Sequence, residues 1–232
     1  MSANIHSSPR ATNFIPPPYG SPAVPEIPPI ISKSPLMRRG GFDVFSGIAD
    51  EYIRKSMLAE ARVQQKLITE SLMTEADTEE IRGGAPRRKF LSSAGGRFQR
   101  EFYHSKWLID FLRGLTTPLL RPTGEYGTYS HYSRTGDFLE IHRDIKACDV
   151  AVITCLENIF GDDKTGGKLC LYPNRTNELL SAIRAAPEKG AHRFLLEESQ
   201  TIVFYGGIVP HALLPVHENQ KRIVSVLCYQ AF

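Results

Sequence analysis

The sequence predicts an α+β protein whose second half is a β-sandwich or β-barrel. In the region 41–120, apolar residues recur at intervals of three and four, which is the spacing of amphipathic helices. From residue 124 onward, short runs rich in Val, Ile, Thr, Tyr and Phe alternate with Gly and polar turns, as antiparallel strands do. Helices followed by a series of short strands are typical of the α+β class.

The composition fits one folded domain with a tail. The chain has 232 residues, of which 41% are hydrophobic and 23% are charged, and these values are ordinary for globular proteins. The formal net charge of +3 is too small to indicate a nucleic-acid partner. The sequence contains no apolar run of the roughly 18 residues that a membrane span needs, and no apolar signal segment opens it. We therefore expect a soluble, cytoplasmic protein with neither nucleic acid nor membrane as partner.

The first 40 residues are predicted to be a separate tail. Prolines recur throughout residues 1–40, and proline disrupts regular helices and central strands. We expect a disordered or polyproline-like extension that lies on the surface. A single domain then spans residues 41–232, with a helical part at 41–120 and a β core at 124–232.

The cysteines are predicted to be reduced core thiols. None of the four forms a C-x-x-C pair, so the sequence contains neither a zinc-ribbon nor a thioredoxin-type motif. The four residues are Cys148, Cys155, Cys170 and Cys228.

The elements follow from the periodicity. One or two helices are predicted over about 43–73, with Asp43 or Ser46 as the N-cap, and another over 103–112, ending at Gly114 as a C-cap glycine. Between them, residues 75–89 are predicted to be a loop, and the basic trio 87–89 a solvated turn. A further helix is predicted at 177–186. The six predicted strands are 126–132, 138–144, 150–156, 168–172, 201–205 and 222–229.

His142 and Asp144 are the first candidate metal ligands. They are two positions apart, so on an extended strand both side chains leave the same face. An imidazole and a carboxylate are two of the three ligands in a two-His, one-carboxylate site, which leaves positions on Fe(II) open. The alternative is an exposed His and Asp on a polar strand face, because H-x-D also occurs by chance.

His211 is the best candidate for the third ligand, because it closely follows the apolar strand 201–205. Arg222 opens the last strand, where an inward guanidinium would be costly unless it met a carboxylate. A dicarboxylic cosubstrate would supply that carboxylate. The remaining histidines are interpreted as surface or structural residues, although His131 could face the same cavity: His6, His104, His131, His192 and His217.

Taken together, these motifs resemble the Fe(II)/2-oxoglutarate-dependent dioxygenases, and within them the prolyl-4-hydroxylase-like group. The resemblance covers the chain from about residue 126 to its end. Four elements in the family's order are more specific than any one of them. The matching elements are Tyr132 with Gly136-Asp137-Phe138, His142-x-Asp144, Gly166-Gly167-Lys168-Leu169 with Tyr172-Pro173, and His211 with Pro215-Val216 and then Arg222.

The resemblance implies a fold, a ligand set and cofactors. The fold would be a double-stranded β-helix, or cupin-like jelly roll, with N-terminal helices supporting one sheet. The cofactors would be Fe(II), 2-oxoglutarate as cosubstrate and O2, with ascorbate as a candidate reductant. By resemblance, Fe(II) would be held by His142, Asp144 and His211, and 2-oxoglutarate by Arg222 through its C5 carboxylate, with Tyr132 and, as a weaker candidate, Thr154.

The implied activity is hydroxylation of an unactivated C–H bond, with release of succinate and CO2. Asp144 favours hydroxylation over halogenation, because related halogenases carry a small residue at that position. A small, amino-acid-derived or specialised metabolite is preferred as substrate over a protein prolyl residue. The alternatives are desaturation, cyclisation or epoxidation with the same cofactors, a non-catalytic cupin-like scaffold, and a zinc hydrolase, which would leave Arg222 unexplained. The sequence carries no signal for an oligomeric state.

Two features depart from the family pattern. The interval between His211 and Arg222 is long, which implies an extended turn over 217–220. The family's Arg-x-Ser pattern is absent, because Ser225 lies three places after Arg222 and would face the other side of the sheet. Four further residues could either recognise an acidic substrate group or face solvent: His131, Arg134, Arg143 and Lys146.

Overall fold

The computed structural model describes residues 24–70, 82–83, 86–160 and 166–231. Its α-helices are α1 (Pro29–Ser32), α2 (Pro35–Arg38), α3 (Glu51–Gln64), α4 (Arg97–Tyr103), α5 (Lys106–Leu115) and α6 (Leu180–Ala185), with 3-10 turns at Gln65–Leu67 and Pro173–Arg175. Its strands are β1 (Phe42–Ser46), β2 (Thr69–Glu70), β3 (Arg88–Lys89), β4 (Leu91–Ala94), β5 (Arg121–Pro122), β6 (Thr128–Tyr132), β7 (Phe138–His142), β8 (Val150–Ile159), β9 (Leu169–Leu171), β10 (His192–Phe194), β11 (Gln200–Phe204), β12 (His211–Leu213) and β13 (Lys221–Gln230).

The strands form two antiparallel sheets. The larger sheet has the order β1-β11-β8-β13-β6-β4-β2, with β5 pairing beside β13, and the smaller has the order β10-β9-β12-β7-β3. Strands that are distant in sequence are thus neighbours in each sheet, as in a jelly roll. The predicted α+β fold with a double-stranded β-helix is confirmed.

Helices α3 and α4 cover the outer face of the larger sheet. Met57 and Ala61 of α3 are fully buried, and the hydroxyl of Tyr129 on β6 donates a hydrogen bond of 2.6 Å to Glu60. On α4, the Gln99 side chain donates to Ser225 Oγ of β13 at 2.9 Å. The predicted supporting helices are therefore present, and the other face of the sheet is left for a cavity.

The boundaries of the helices differ from the prediction. The N-cap of α3 is Asp50, whose side chain accepts a hydrogen bond of 2.8 Å from the Ile53 amide. Asp43 and Ser46 are not caps, because β1 contains both and pairs with β11. The second predicted helix is two helices, α4 and α5, and Gly114 lies inside α5.

The prediction that residues 1–40 form a disordered tail is wrong for the residues that form the helices α1 and α2. Proline stands at the first position of each helix, where its missing N–H and fixed φ are tolerated. Ile31 and Leu36 are buried in the main core, and Ser34 caps α2 and accepts a hydrogen bond of 2.9 Å from the Tyr205 hydroxyl. Residues 1–23 lie outside the described residues, so the tail stays a prediction there.

Two of the four cysteines are not reduced. Cys148 and Cys228 form a disulfide with a Cα–Cα distance of 4.8 Å, while Cys155 and Cys170 are free and buried. The disulfide joins residues 80 positions apart, because β13 pairs with β8 and brings Cys228 opposite Ala151.

Within the described ranges, no helix is long and apolar enough to cross a membrane.

Candidate active site

A cavity of about 320 Å³ lies between the two sheets. Residues of both sheets form its walls, and most of them are apolar. Its charged or potentially charged lining residues are Arg88, His142, Asp144, His211 and Arg222. Three of these are the candidate metal ligands, and a fourth is the candidate cosubstrate arginine.

The three candidate ligands converge on one point. His142 ends β7 and His211 begins β12, and the two are directly paired across these strands. Asp144 Oδ1 lies 3.5 Å from Nε2 of each histidine. One donor atom from each residue can be chosen so that all three lie within 4.8 Å of one another.

The backbone selects the tautomer of both histidines. His142 Nδ1 lies 2.8 Å from the Glu140 carbonyl oxygen, and His211 Nδ1 lies 3.0 Å from the Val209 carbonyl oxygen. A carbonyl only accepts hydrogen bonds, so each Nδ1 must carry the hydrogen, which leaves the Nε2 lone pair available. These second contacts orient the rings as metal-ligating histidines require.

The charge states also suit metal binding. Burial alone would raise the pKa of Asp144, but His211 and His142 outweigh it and hold that pKa well below its usual range. Burial, followed by the nearby His211, lowers the pKa of His142. A charged carboxylate together with two imidazoles is the donor set of a two-His, one-carboxylate Fe(II) site, so these residues fit that metal.

A β-bulge aims His142 into the cavity. The two-residue step from His211 to Leu213 on β12 faces the three-residue step from His142 to Leu139 on β7. In a regular strand, residues three apart face opposite sides, whereas the extra residue of a bulge restores them to one side. As a result, Leu139 and His142 both line the cavity.

Gly206 makes room for the Asp144 carboxylate. The Asp144 amide donates a hydrogen bond of 2.9 Å to the Gly206 carbonyl. A Cβ on residue 206 would lie 1.9 Å from Asp144 Oδ2, which is too close for two atoms that are not bonded to each other. The carboxylate position therefore depends on a glycine in the segment that leads to His211.

Arg222 provides a buried positive charge across the cavity. Its side chain is 1% exposed, and Nη1 donates a hydrogen bond to the Gly167 carbonyl. Among the described residues, Nε has no hydrogen-bond partner and the guanidinium forms no ion pair. Burial lowers its pKa, and a buried cation without a carboxylate is costly. The geometry is that of an anion-binding site.

Comparison with known proteins identifies the fold. No protein-family model and no curated protein matches the sequence. Among solved structures, a Pseudomonas putida prolyl-4-hydroxylase has 15% identity and a TM-score of 0.54, with 85% of this chain and 96% of that chain covered. HygX from Streptomyces hygroscopicus, with nickel, 2-oxoglutarate and hygromycin B bound, has 10% identity and a TM-score of 0.58, with 82% of both chains covered.

The chain has the fold of the Fe(II)/2-oxoglutarate oxygenases. A third similar structure, the epimerase SnoN in complex with Fe³⁺, alpha-ketoglutarate and nogalamycin RO, has 13% identity and a TM-score of 0.62, with 83% of this chain and 80% of that chain covered. The resemblance predicted from residue 126 onward is thus confirmed at the level of fold, and it extends into the helical half.

Tyr132, the candidate cosubstrate-binding tyrosine, lies in the wall of the cavity. It is the cross-strand partner of Arg222, it lines the cavity, and its ring packs on Phe90 with centroids 5.0 Å apart. Thr128 and Ser130 on the same strand also line the cavity, and the sequence analysis did not select them. The period of two along β6, counted back from Tyr132, is the signal that would have found them.

Thr154 does not reach the cavity, so its predicted contact with the cosubstrate is wrong. Its hydroxyl lies 2.9 Å from the Thr201 hydroxyl on the neighbouring strand β11. Ala151 and Ile153 of the same strand line the cavity, and the next residue along a strand faces the opposite side.

The four residues for which the sequence left open acid recognition or exposure to solvent also lie outside the cavity lining. His131 contacts Ser93 on the other sheet face at 3.3 Å, and Lys146 is exposed. Arg143 donates to backbone carbonyls, including that of Ile208 at 3.1 Å, and Arg134 pairs with Asp137. Besides Arg222, the cavity lining includes Arg88, from the trio predicted to be a solvated turn. That prediction is wrong for residue 88, because Arg88–Lys89 form β3, which pairs with β7.

Both departures from the family pattern have a structural explanation. Ser225 faces the helices, as expected from its spacing, and Gln99 uses it as an acceptor. The long turn before Arg222 brings Gln220 back into the core, where its Nε2 donates to the Gly166 carbonyl at 3.2 Å. Gly167 adopts a positive φ of 64° beneath Gln220. The extra residues of the turn thus pack against Gly166 and Gly167, and the carbonyl of Gly167 accepts the hydrogen bond from Arg222.

Proposed function

We propose that the chain is an Fe(II)- and 2-oxoglutarate-dependent dioxygenase that hydroxylates an unactivated C–H bond of a small molecule and releases succinate and CO2. One observation carries the proposal: the donor atoms of His142, Asp144 and His211 converge in a cavity that also contains the buried Arg222, which has no carboxylate partner in the part of the chain that the structure describes. A zinc hydrolase or a metal-binding scaffold would need the three ligands, but it would have no use for the arginine.

Each residue has a distinct task under this proposal. His142, Asp144 and His211 would hold Fe(II), which supplies O2 activation when it is bound, with ascorbate as a candidate reductant. Arg222 would bind the distal carboxylate of 2-oxoglutarate through its guanidinium. The Tyr132 hydroxyl, whose pKa burial raises, would stay protonated and donate a hydrogen bond to the same cosubstrate.

The rest of the cavity would keep water away from the reacting groups. Its walls include the side chains of Ile153, Leu169, Leu213, Val224 and Val226. Apolar walls strengthen electrostatic contacts by lowering the local dielectric, and they limit side reactions with water. The protein would thus position the cosubstrate and one substrate C–H bond in a dry site.

Two observations support the finer parts of the proposal. Asp144 is a carboxylate and occupies a position that a halogenase would need for chloride, which favours hydroxylation. The cavity volume of about 320 Å³ suits a small molecule, and the similar structures HygX and SnoN contain hygromycin B and nogalamycin RO, respectively. Desaturation, cyclisation and epoxidation would use the same residues, and product analysis distinguishes them from hydroxylation.

The test is an anaerobic titration of the apoprotein with Fe(II) and then 2-oxoglutarate. We expect a weak visible charge-transfer band that requires both additions and is lost in His211→Ala. The exposed His192 provides a matched control, because His192→Ala should retain the band. A folded wild-type protein that binds Fe(II) and gives no band with 2-oxoglutarate would contradict the proposal and favour the scaffold or hydrolase alternatives.

A further inference from the structure

The disulfide between Cys148 and Cys228 forms part of the cavity wall. Cys228 on β13 is half-buried and lines the cavity, whereas Cys148 is 1% exposed. Among the described lining residues, Cys228 alone carries sulfur. The two free cysteines, Cys155 and Cys170, are buried outside the lining. A group that is readily oxidised therefore borders the space in which the proposed function would activate O2.

Cys228 lies close to the metal ligand Asp144. A Cβ on residue 206 would lie 1.9 Å from Asp144 Oδ2 and 3.4 Å from the Ala151 Cβ, so the carboxylate and the Ala151 methyl group are neighbours. Ala151 and Cys228 are directly opposite each other on β8 and β13, which puts their Cβ atoms about 5 Å apart. Cys148 is four positions after Asp144 in the chain. Both cysteines are thus near the metal ligands, one through strand pairing and the other through the chain.

Hydrogen bonds hold both cysteines in place independently of the disulfide. The residues that directly follow the two cysteines are Asp149 and Tyr229. The Asp149 amide donates a hydrogen bond of 3.0 Å to the Tyr229 carbonyl, and the Asp149 carboxylate accepts one of 2.9 Å from the Ala231 amide. With the Cα atoms of Cys148 and Cys228 held 4.8 Å apart, the two thiols would stay within bonding reach after reduction.

We propose that Cys148 and Cys228 are a redox pair that donates two electrons to O2 when 2-oxoglutarate is consumed without substrate. This inference rests on the proposed function. In its reduced form, the pair would replace the substrate C–H bond as the source of two of the four electrons that O2 accepts. Oxidative decarboxylation of 2-oxoglutarate would supply the other two. The structure shows the oxidised form of the pair.

The atoms and electrons of this step balance. One 2-oxoglutarate, one O2 and two thiols give succinate, CO2, water and one disulfide. Two S–H bonds break and one S–S bond forms, and both hydrogens leave in the water. One oxygen atom of O2 enters succinate and the other enters the water. A small thiol such as glutathione would then restore the pair by thiol–disulfide exchange.

The pairing of the two cysteines keeps this oxidation reversible. An oxidised thiol that has a second thiol beside it condenses to a disulfide, whereas an isolated one continues to the sulfinic acid, which ordinary thiols do not reduce. Cys148 is therefore the residue that would protect Cys228 from irreversible oxidation in the cavity wall.

The test uses the full chain, reduced with dithiothreitol, desalted without oxygen, and loaded with Fe(II) and 2-oxoglutarate. O2 is then added without substrate or ascorbate. Succinate is measured together with cysteine oxidation, by maleimide labelling and peptide mass spectrometry. We expect about one disulfide between Cys148 and Cys228 for each succinate in the first turnover, while Cys155 and Cys170 stay reduced. Added glutathione should restore both thiols.

Two controls separate this reaction from oxidation by air. Protein loaded with Ni(II) in place of Fe(II), and Fe(II)-loaded protein without 2-oxoglutarate, should form the disulfide at least about 10-fold more slowly, because neither supports turnover.

Variants test the role of the pairing. Cys148→Ser should form no disulfide, and its Cys228 should continue to the sulfinic acid. Cys170→Ala, which removes a buried thiol outside the cavity lining, should behave as wild type. The measurement on wild-type protein stands by itself if a variant fails to fold.

Succinate formation with both thiols intact would overturn the inference. So would a disulfide that forms equally fast in the two controls, or one that resists glutathione in the folded protein, because either result would make it purely structural. Reduced protein that shows the charge-transfer band and forms no succinate also counts against it. Because the band is recorded before O2 is added, failure of the proposed function would be recognised separately, by the absence of the band.

Discussion

The two sheets contribute to the cavity in different ways. On the larger sheet, the side chains of β6 and β13 alternate regularly between the two faces of the sheet. Thr128, Ser130 and Tyr132 of β6 therefore face the cavity. Arg222 begins the corresponding set on β13. On the smaller sheet, the two histidines lie at strand ends next to a bulge. Regular alternation of the strands that carry Tyr132 and Arg222 therefore forms one region of the cavity, the cosubstrate end, whereas a bulge in the strand that carries His142 shapes the other region, the metal end.

The two ends also differ in how far they are preformed. At the metal end, each histidine has a second hydrogen-bond contact with the backbone, and the Asp144 carboxylate lies between them. At the cosubstrate end, Arg222 has one carbonyl acceptor and no ion-pair partner among the described residues. The protein by itself orients the ligands of the metal end and leaves their lone pairs facing one point, where a cation would complete them, whereas the cosubstrate end requires an anion to complete it.

The largest effect should come from removing a metal ligand. Asp144→Ala or His142→Ala should weaken Fe(II) binding by more than about 100-fold, because even residues that only orient the ligands cost 10–100-fold when they are lost. Iron-dependent turnover should then be abolished. Metal analysis after equilibrium dialysis would measure the affinity, and full retention of iron by both variants would remove the proposed metal site.

Replacing the buried arginine should separate cosubstrate binding from stability. Arg222→Met should weaken 2-oxoglutarate binding by about 100-fold, since truncation of a buried charge pair costs a few kcal/mol. Without 2-oxoglutarate, the same variant should be as stable as wild type or more stable, because it no longer buries a cation that lacks a carboxylate partner among the described residues.

Calorimetry and urea unfolding in the absence and presence of 2-oxoglutarate would measure the two quantities. Loss of stability combined with unchanged 2-oxoglutarate affinity would assign Arg222 a purely structural role, with the Gly167 carbonyl as its main partner.

An added methyl group at Gly206 should disturb the metal end alone. Gly206→Ala places a Cβ 1.9 Å from Asp144 Oδ2 and should lower Fe(II) affinity by about 10–100-fold, as the loss of an orienting group does. Gly114→Ala is the control, because no atom lies within 4 Å of the added Cβ and the site is in α5. That control should stabilise the protein by about 0.5–1 kcal/mol, and equal iron affinity in both variants would contradict the role of Gly206.

The smallest effect on ligand binding should follow from Thr154→Val. The affinity for 2-oxoglutarate should remain within about 2-fold of wild type, while the free energy of unfolding should fall by about 1–2 kcal/mol because the buried Thr201 hydroxyl loses its partner. Weakened 2-oxoglutarate binding without a stability change would restore the role that the sequence predicted for this threonine.

The sequence by itself determined the features that depend on local order. The α+β class, the six strands predicted after residue 124 and the H-x-D motif follow from periodicity and spacing, which are properties of neighbouring residues. The cavity-facing side of β13 also follows from its period of two, so the placement of Arg222 and the outward orientation of Ser225 were predictable. His211 was recognisable because it follows an apolar strand within a family-like segment.

Only the tertiary structure decided the features that depend on strand pairing. Register places Cys228 near Cys148, brings Thr154 opposite Thr201, and places Arg88, which the sequence predicts in a solvated turn, in the cavity wall. The three-residue strand β12 is too short to show a period, and the bulge opposite it breaks the period that does exist on β7. The physical reason is that register is set by contacts between distant segments, and a shift of one residue reverses every side chain on a strand.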